Sequence, residues 1–249
     1  EPKRPEWMKV KANLGSDYRS LKNLLNEQKL NTVCEEASCP NIYECWSMGT
    51  ATFMIMGDVC TRACGFCDVK TGKPGSLDWE EPKRVAESVN TMGLSHAVIT
   101  SVNRDDLNDG GSLFFAETIR EVKKFNNGCD VEVLIPDFKG DRIAINNIIE
   151  ASPEVINHNL ETVPRLQREI RTSASYGRSL SLLHYVKSQG FEGKTKTGLI
   201  VGMGESKEEV IAVLKDISKL DVDIVTIGQY LRPTAKHRPI DRYAPEDEF

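Results

Sequence analysis

Six short apolar runs, each followed by a helix-like stretch, constrain this chain more than any other feature of it. The runs are Phe53–Gly57, Ala97–Val102, Val131–Ile135, Val155–His158, Thr197–Gly202 and Ile224–Leu231. Several are unbroken rather than alternating, as strands buried on both faces of a parallel sheet are. Glu132 makes the third a partial exception. Between them lie Pro82–Met92, Leu113–Phe125, Arg142–Glu150, Pro164–Glu169, Ser179–Gln189 and Lys207–Leu220. Pro82 suits a first helical turn. Ser206 with Glu209 three residues on reads as a capping box, and Gly190 as a helix C-cap. Strand and helix alternating six times predicts βα units on a parallel sheet with right-handed crossovers. Such units form either an open doubly wound sheet or a partial TIM-type (β/α)6 barrel. In both, ligands gather at the C-terminal ends of the strands. The polar, glycine-rich stretches fall there: 57–67, 101–111, 157–162, 202–205 and 229–233.

This pattern divides the chain into a core over residues 51–235, an N-terminal extension over 1–50 that stands outside the alternation, and a proline- and charge-rich stretch over 236–249. The 39% hydrophobic content is enough to bury a core. A net charge of −5 argues against a general nucleic-acid binder. No apolar run approaches the ~20 residues that span a bilayer, and no membrane association is expected. No helix face or heptad stands out as an association surface, so a monomer is expected. The sequence starts without Met, which fits a trimmed start.

Six of the seven cysteines crowd into Cys34–Cys67, and Cys129 stands alone. Such clustering in a long chain points to metal rather than to a disulfide scaffold. Cys60, Cys64 and Cys67 form a C-x3-C-x2-C directly after the first strand. Three thiolates this close can hold three irons of a four-iron–four-sulfur cluster and leave the fourth iron open to a ligand. A structural zinc site normally takes four protein ligands, and residues 58–69 contain no His to complete one. A redox C-x-x-C at Cys64 and Cys67 would leave Cys60 unexplained. Gly65 is expected to let the backbone pass close to a cluster. Upstream, Cys34, Cys39 and Cys45 form a C-x4-C-x5-C, a spacing unusual for zinc, with Pro40 and Asn41 suggesting a turn. The alternative for these three is a buried packing role.

The C-x3-C-x2-C after the first strand resembles the signature of the radical S-adenosylmethionine (SAM) superfamily. There the open iron is chelated by SAM, and the reduced cluster cleaves it to a 5′-deoxyadenosyl radical. Phe66 matches the aromatic that flanks the adenine. The two cysteine motifs together, CEEASCPNIYECW and CTRACGFCDV, are similar to those of lipoyl synthases nearly residue for residue. The likeness continues through Thr100–Asp106 with Gly110 and Gly111, then 157–162, 196–205 and 228–233.

The resemblance implies a radical SAM partial (β/α)6 barrel with a cysteine-rich N-terminal extension. It implies two four-iron–four-sulfur clusters, one on Cys60, Cys64 and Cys67 and an auxiliary one on Cys34, Cys39 and Cys45. It also implies insertion of two sulfur atoms, at carbons six and eight, into a protein-bound octanoyl-lysine, the auxiliary cluster being the sulfur donor. The implied partners are octanoylated lipoyl-carrier domains (E2 subunits of dehydrogenases and the glycine cleavage H protein), an electron donor such as ferredoxin or flavodoxin, and an iron–sulfur carrier for cluster repair. The implied compartment is the bacterial cytoplasm, or the mitochondrial matrix if a transit peptide has been removed.

By loop position, Asn103, Asp105 and Asp106 are expected at the SAM amino group or ribose, and Asn159 and Glu161 at ribose hydroxyls. Gly202 and Gly204 would let backbone approach the ligand. Gln229 and Arg232 follow the sixth strand, with Arg232 placed to pair with the SAM carboxylate. Arg171, Ser173 and Tyr176 match a family stretch that contacts SAM or substrate. Ordinary loop roles are the alternative for each. His96, His158 and Cys129 read as core or strand-end residues. In the family a serine in an Arg-Ser-Ser motif supplies the auxiliary cluster's fourth ligand. No Arg-Ser-Ser run occurs in this sequence, which ends at Phe249. An electron carrier without SAM, or a zinc-stabilised binding module, are the competing functional classes.

Overall fold

The computed structural model describes residues 2–8, 23, 25, 27, 28, 30–32 and 51–249. Cys34, Cys39 and Cys45 lie outside the described residues. The described strands are β1 (Asn31–Thr32), β2 (Thr52–Ile55), β3 (Val59–Cys60), β4 (Lys70–Thr71), β5 (His96–Ser101), β6 (Asp130–Leu134), β7 (Val155–Asn157), β8 (Lys194–Val201) and β9 (Ile224–Gln229). The described α-helices are α1 (Glu81–Met92), α2 (Ser112–Phe125), α3 (Arg142–Glu150), α4 (Gln167–Ile170), α5 (Tyr176–Ser188) and α6 (Lys207–Ser218).

Seven of these strands form one sheet in the order β1-β2-β5-β6-β7-β8-β9. All its pairings are parallel except the first, where β1 runs antiparallel along the edge of β2. β9 does not return to β2 among the described residues, so the sheet is open, as expected for a partial barrel. All six expected strands and all six expected helical segments are present, within a few residues of their expected ends. The fourth helical segment is the exception in kind. Its first half, Pro164–Leu166, is a 3-10 turn that leads into α4.

Local chemistry accounts for the element boundaries. Pro82 occupies the first turn of α1, whose C-cap Gly93 is left-handed. The Ser206 side chain accepts from the Glu209 N–H while Glu209 returns the bond, the capping box expected, worth roughly 1 kcal/mol. α5 ends one residue earlier than expected, at C-cap Gln189, and Gly190 follows with a positive φ. The exceptional Glu132 is buried in β6, where Lys196 Nζ lies 2.7 Å and His96 Nε2 3.4 Å from its carboxylate. A charge in a buried strand is tolerated because it is paired.

Two buried clusters hold the sheet. The larger packs Phe53, Ile55, Val85, Phe114, Phe115, Ile119 and Ile148 between β2, β5, β6 and α1 to α3. The smaller packs Leu160, Leu166, Ile170, Leu199, Met203 and Val213 under the last two strands. Cys129 is buried at the edge of the larger one, as expected for a small apolar side chain.

Candidate active site

The short parallel pair β3–β4, which sequence patterning did not anticipate, closes the cysteine loop on itself. Gly72 N–H donates to the Cys60 carbonyl across it at 2.9 Å. The loop is then tied to the sheet rim from inside. Thr61 N–H and its hydroxyl both donate to the Asn103 carbonyl, at 3.0 and 2.9 Å. The Cys60 sulfur receives the N–H groups of Arg62 and Asn103 at 3.4 and 3.3 Å. Further along, Cys64 forms an antiparallel bridge with Arg171, and Gly65 N–H donates to the Ile170 carbonyl at 2.8 Å. A Cβ at Gly65 would make only ordinary contacts, the nearest being 3.6 Å, so nothing in the surrounding protein requires glycine there.

The loop is also held from outside by residues 237–238. Arg238 N–H donates to the Gly65 carbonyl at 3.0 Å, and His237 Nε2 lies 3.1 Å from the Cys67 carbonyl. A carbonyl only accepts, so Nε2 carries the proton and Nδ1 accepts from the Thr234 hydroxyl at 2.9 Å. Cys64 and Cys67 consequently line two cavities of about 550 Å³ each, one on either side of the loop.

The inner cavity sits at the C-terminal ends of β2, β5, β6, β7 and β8. Met54, Thr100 and Leu134, which stand opposite one another in the strand register, all line it. With them come Cys60, Cys64 and Cys67 of the spacing motif, Phe66 that the resemblance suggests, and Asn103, Asn159 and Glu161 that loop position suggests, together with Arg171 and Ser173. Sequence patterning does not single out Arg62, Ser101 or Asp137 in this wall, and it reads His158 as a core or strand-end residue rather than a site residue. Residues so far apart in sequence carry no signal until the strands are placed side by side.

Seven expected residues, Asp105, Asp106, Tyr176, Gly202, Gly204, Gln229 and Arg232, do not line the inner cavity. Asp105 is drawn away by the Arg62 guanidinium, which donates twice to its carboxylate at 2.6 and 2.8 Å. Gln229 turns under residues 242–244, donating to the Arg242 carbonyl and accepting from Ala244 N–H. Gly202 serves the same packing. A Cβ there would lie 2.2 Å from Gln229 Nε2 and 2.6 Å from the Arg242 carbonyl, and its φ is +101°. Arg232 donates to the His237 carbonyl at 2.9 Å and so braces the outer segment. Asp106 pairs with Arg104, and the Tyr176 hydroxyl donates to Asp216.

The donor chemistry of the inner cavity suits an iron–sulfur cluster with a polar ligand. Burial pushes the Cys64 thiol up to about 12, and Cys67 is raised for the same first reason. Thiols this hard to ionise become thiolates when cationic metal is their partner. Among the described residues, no three His, Cys, Asp or Glu side chains converge tightly enough for one ion. A four-iron cluster spreads its thiolates over separate irons. Ser101 Oγ, Asn103 Oδ1 and Asn159 Oδ1 are buried without partners beside the thiols. Glu161 is held at φ +63°, and burial raises its carboxyl above the usual range. Buried acceptors left open in this way mark a place for a ligand's donors.

A sequence model of the radical SAM superfamily matches residues 54–217, and one for the N-terminal domain of lipoyl synthase matches residues 1–39. The mitochondrial lipoyl synthase of Nematostella vectensis is 52% identical over 249 residues, 100% of this chain and 85% of that one. The lipoyl synthase of Rubrobacter xylanophilus is 56% identical over 99% of this chain and 77% of its own length.

The chain belongs to the lipoyl synthase family of radical SAM enzymes.

As a lipoyl synthase family member it is an enzyme, a sulfurtransferase, and membership implies a four-iron–four-sulfur cluster, SAM and a lipoyl-carrier protein substrate. Solved radical SAM structures share its fold. The FeFe-hydrogenase maturase HydG from Carboxydothermus hydrogenoformans superposes with a TM-score of 0.65 at 14% identity, over 80% of this chain and 48% of that one. Methylornithine synthase gives a TM-score of 0.59 at 18% identity, over 86% of this chain. The lipoyl synthase family chain spans 64% of the length of that second structure. Among the described residues no helix is long and apolar enough to cross a membrane. Relatives include bacterial and mitochondrial proteins.

Proposed function

We propose that this chain inserts two sulfur atoms, at carbons six and eight, into an octanoyl chain carried on a lysine of a lipoyl-carrier domain. The observation that carries the reading is the convergence of Cys60, Cys64 and Cys67 with the unpartnered acceptors Asn103 and Asn159 in one cavity. In this reading the three thiolates hold the SAM-binding cluster. Cys34, Cys39 and Cys45, in the extension over residues 1–50, hold the auxiliary cluster that donates sulfur. When bound, cluster and SAM supply a carbon-centred radical able to take hydrogen from an unactivated C–H bond.

The protein's own part is positioning and exclusion of water. Asn103 and Asn159 present acceptors to the SAM amino and hydroxyl groups, and Glu161 accepts from the ribose hydroxyls. Phe66, half-buried against the smaller core cluster, supports the adenine face. Val102, Ile135 and Ile200 line the same cavity with apolar surface, which keeps bulk water from a reactive intermediate. In this reading a ferredoxin or flavodoxin supplies electrons and an iron–sulfur carrier rebuilds the sacrificed cluster. The compartment is a bacterial cytoplasm or a mitochondrial matrix.

The test is anaerobic reconstitution, iron and sulfide analysis, and reaction of the reduced protein with SAM and an octanoyl-lysine peptide. About eight irons per chain, 5′-deoxyadenosine and lipoyl product are expected. SAM cleavage with about four irons and no lipoyl product would overturn the auxiliary-cluster role, since one cubane holds four. Zinc in place of iron would overturn the whole reading.

A further inference from the structure

The inner cavity contains a buried charge network that the reaction scheme above does not use. Arg62, between Cys60 and Cys64 in the loop, donates through Nε and Nη2 to Asp105 and through Nη2 to Asp137 at 2.8 Å. The Asp137 carboxylate is fully buried, and Arg178 Nη1 of α5 approaches its other oxygen at 3.0 Å. Lys139 adds its N–H to Asp137 and its Nζ to the Asp105 carbonyl. The network therefore bolts the cysteine loop to the ends of β5 and β6 and to α5.

Its composition is more specific than a bolt needs. Arg62 and Asp137 line the cavity together with the three thiols. The Arg62 and Asp137 side chains are 6% and 0% exposed and meet at 2.8 Å, and the Arg62 guanidinium also donates to Asp105 at 2.6 Å. These ion pairs hold fixed charges in a poorly solvated wall of the cavity that the thiols line, where such charges act strongly. Reducing a cluster by one electron adds one negative charge to it. A buried cation beside it favours that step and a buried anion opposes it, and net charge is among the factors that set cluster potentials.

Resting on the proposed cofactor assignment, we propose that Arg62 and Asp137 are positioning residues that set the reduction potential of the cluster on Cys60, Cys64 and Cys67, Arg62 raising it and Asp137 lowering it. A merely structural clamp would shift the potential in the same direction, or not at all, whichever partner is lost.

The experiment is an anaerobic redox titration, monitored by electron paramagnetic resonance with dithionite as the one-electron donor, on the reconstituted chain. Auxiliary-cluster signal is removed by Cys34→Ala, Cys39→Ala and Cys45→Ala. Arg62→Gln is expected to make reduction about tenfold less favourable, a fall of about 59 mV for one electron. Asp137→Asn is expected to move it the opposite way, and Arg62→Lys to stay near the parent. Arg178→Gln, which leaves the loop untouched, is the second variant should Arg62→Gln lose its cluster, and it is expected to lower the potential by a smaller amount. Shifts of one sign in the Arg and Asp variants, or none in either, would overturn this inference and leave the cofactor assignment standing. A parent chain that binds no iron at these cysteines would overturn both.

Discussion

Cys64 and Arg171 face each other in an isolated antiparallel bridge, and that pairing joins the cysteine loop to the chain leaving α4. The same Arg171 donates from Nη1 to the Leu160 carbonyl at 3.0 Å. The loop is thus registered against the β7 end of the rim through one residue.

Cys64→Ala removes one of the three thiols that, among the described residues, line the inner cavity. SAM cleavage by the reconstituted variant is expected to fall to background, measured as 5′-deoxyadenosine released after reduction. Cleavage at the parental rate would remove Cys60, Cys64 and Cys67 from the cluster role.

Cys39→Ala tests the other motif separately. It is expected to keep SAM cleavage while losing lipoyl product, so that 5′-deoxyadenosine accumulates without sulfur insertion. Parental yields of product, measured by mass spectrometry of the octanoyl peptide, would exclude a sacrificial cluster at that motif.

His158 predicts an acid limit to stability. Its Nδ1 donates to the Ile135 carbonyl, and in the neutral ring its Nε2 accepts from the Ser179 hydroxyl, both at 2.9 Å. Burial, with the nearby Arg171 charge, pulls its pKa down to about 4. The unfolded chain takes up a proton near pH 6.5 that the folded chain refuses, so stability is lost as pH falls from there towards 4. The span corresponds to roughly 3 kcal/mol. Denaturant melts at pH 7 and pH 4.5 are expected to show a smaller loss in His158→Gln than in the parent, and equal losses would refute this origin.

Gly111 predicts a steric cost. Its φ is +87°, and an added Cβ would lie 2.4 Å from the Met56 sulfur and 2.7 Å from its methyl. Gly111→Ala is expected to cost about 2 kcal/mol, a fall in Tm of roughly 4–8 °C. Adding Met56→Ala should recover part of this, since the methionine end is the flexible partner, but not the backbone strain.

His237→Ala releases the ring that meets the Cys67 carbonyl. Cluster absorbance on exposure to air is expected to decay severalfold faster than in the parent. An unchanged decay would show that this contact does not protect the loop.

Strands and helices were legible because their signals are local: apolar runs for β5 to β8, a capping box for α6, a cysteine spacing for the loop. Asn103, Asn159 and Glu161 were legible as cavity residues because each follows a strand end, and Phe66 because it matches the aromatic of the family's cysteine motif. The same positional rule also picks Asp105, Gln229 and Arg232, which do not line that cavity, and position alone does not show the partner that holds each. Arg62 captures Asp105, the 242–244 backbone captures Gln229, and the His237 carbonyl captures Arg232. Position does not single out Asp137, and His158 reads only as a core or strand-end residue, because their partners lie on other βα units.

The contact between His237 and Cys67 spans 170 residues of chain. Synthesis runs from the N-terminus, so the cysteine loop and the strands beneath it leave the ribosome long before the segment that covers their outer side. The inner wall is itself completed late, since Asn159, Arg171 and Ile200 belong to it. The bracing of the loop by residues 237–238 is therefore among the last of its contacts that the order of synthesis allows to form.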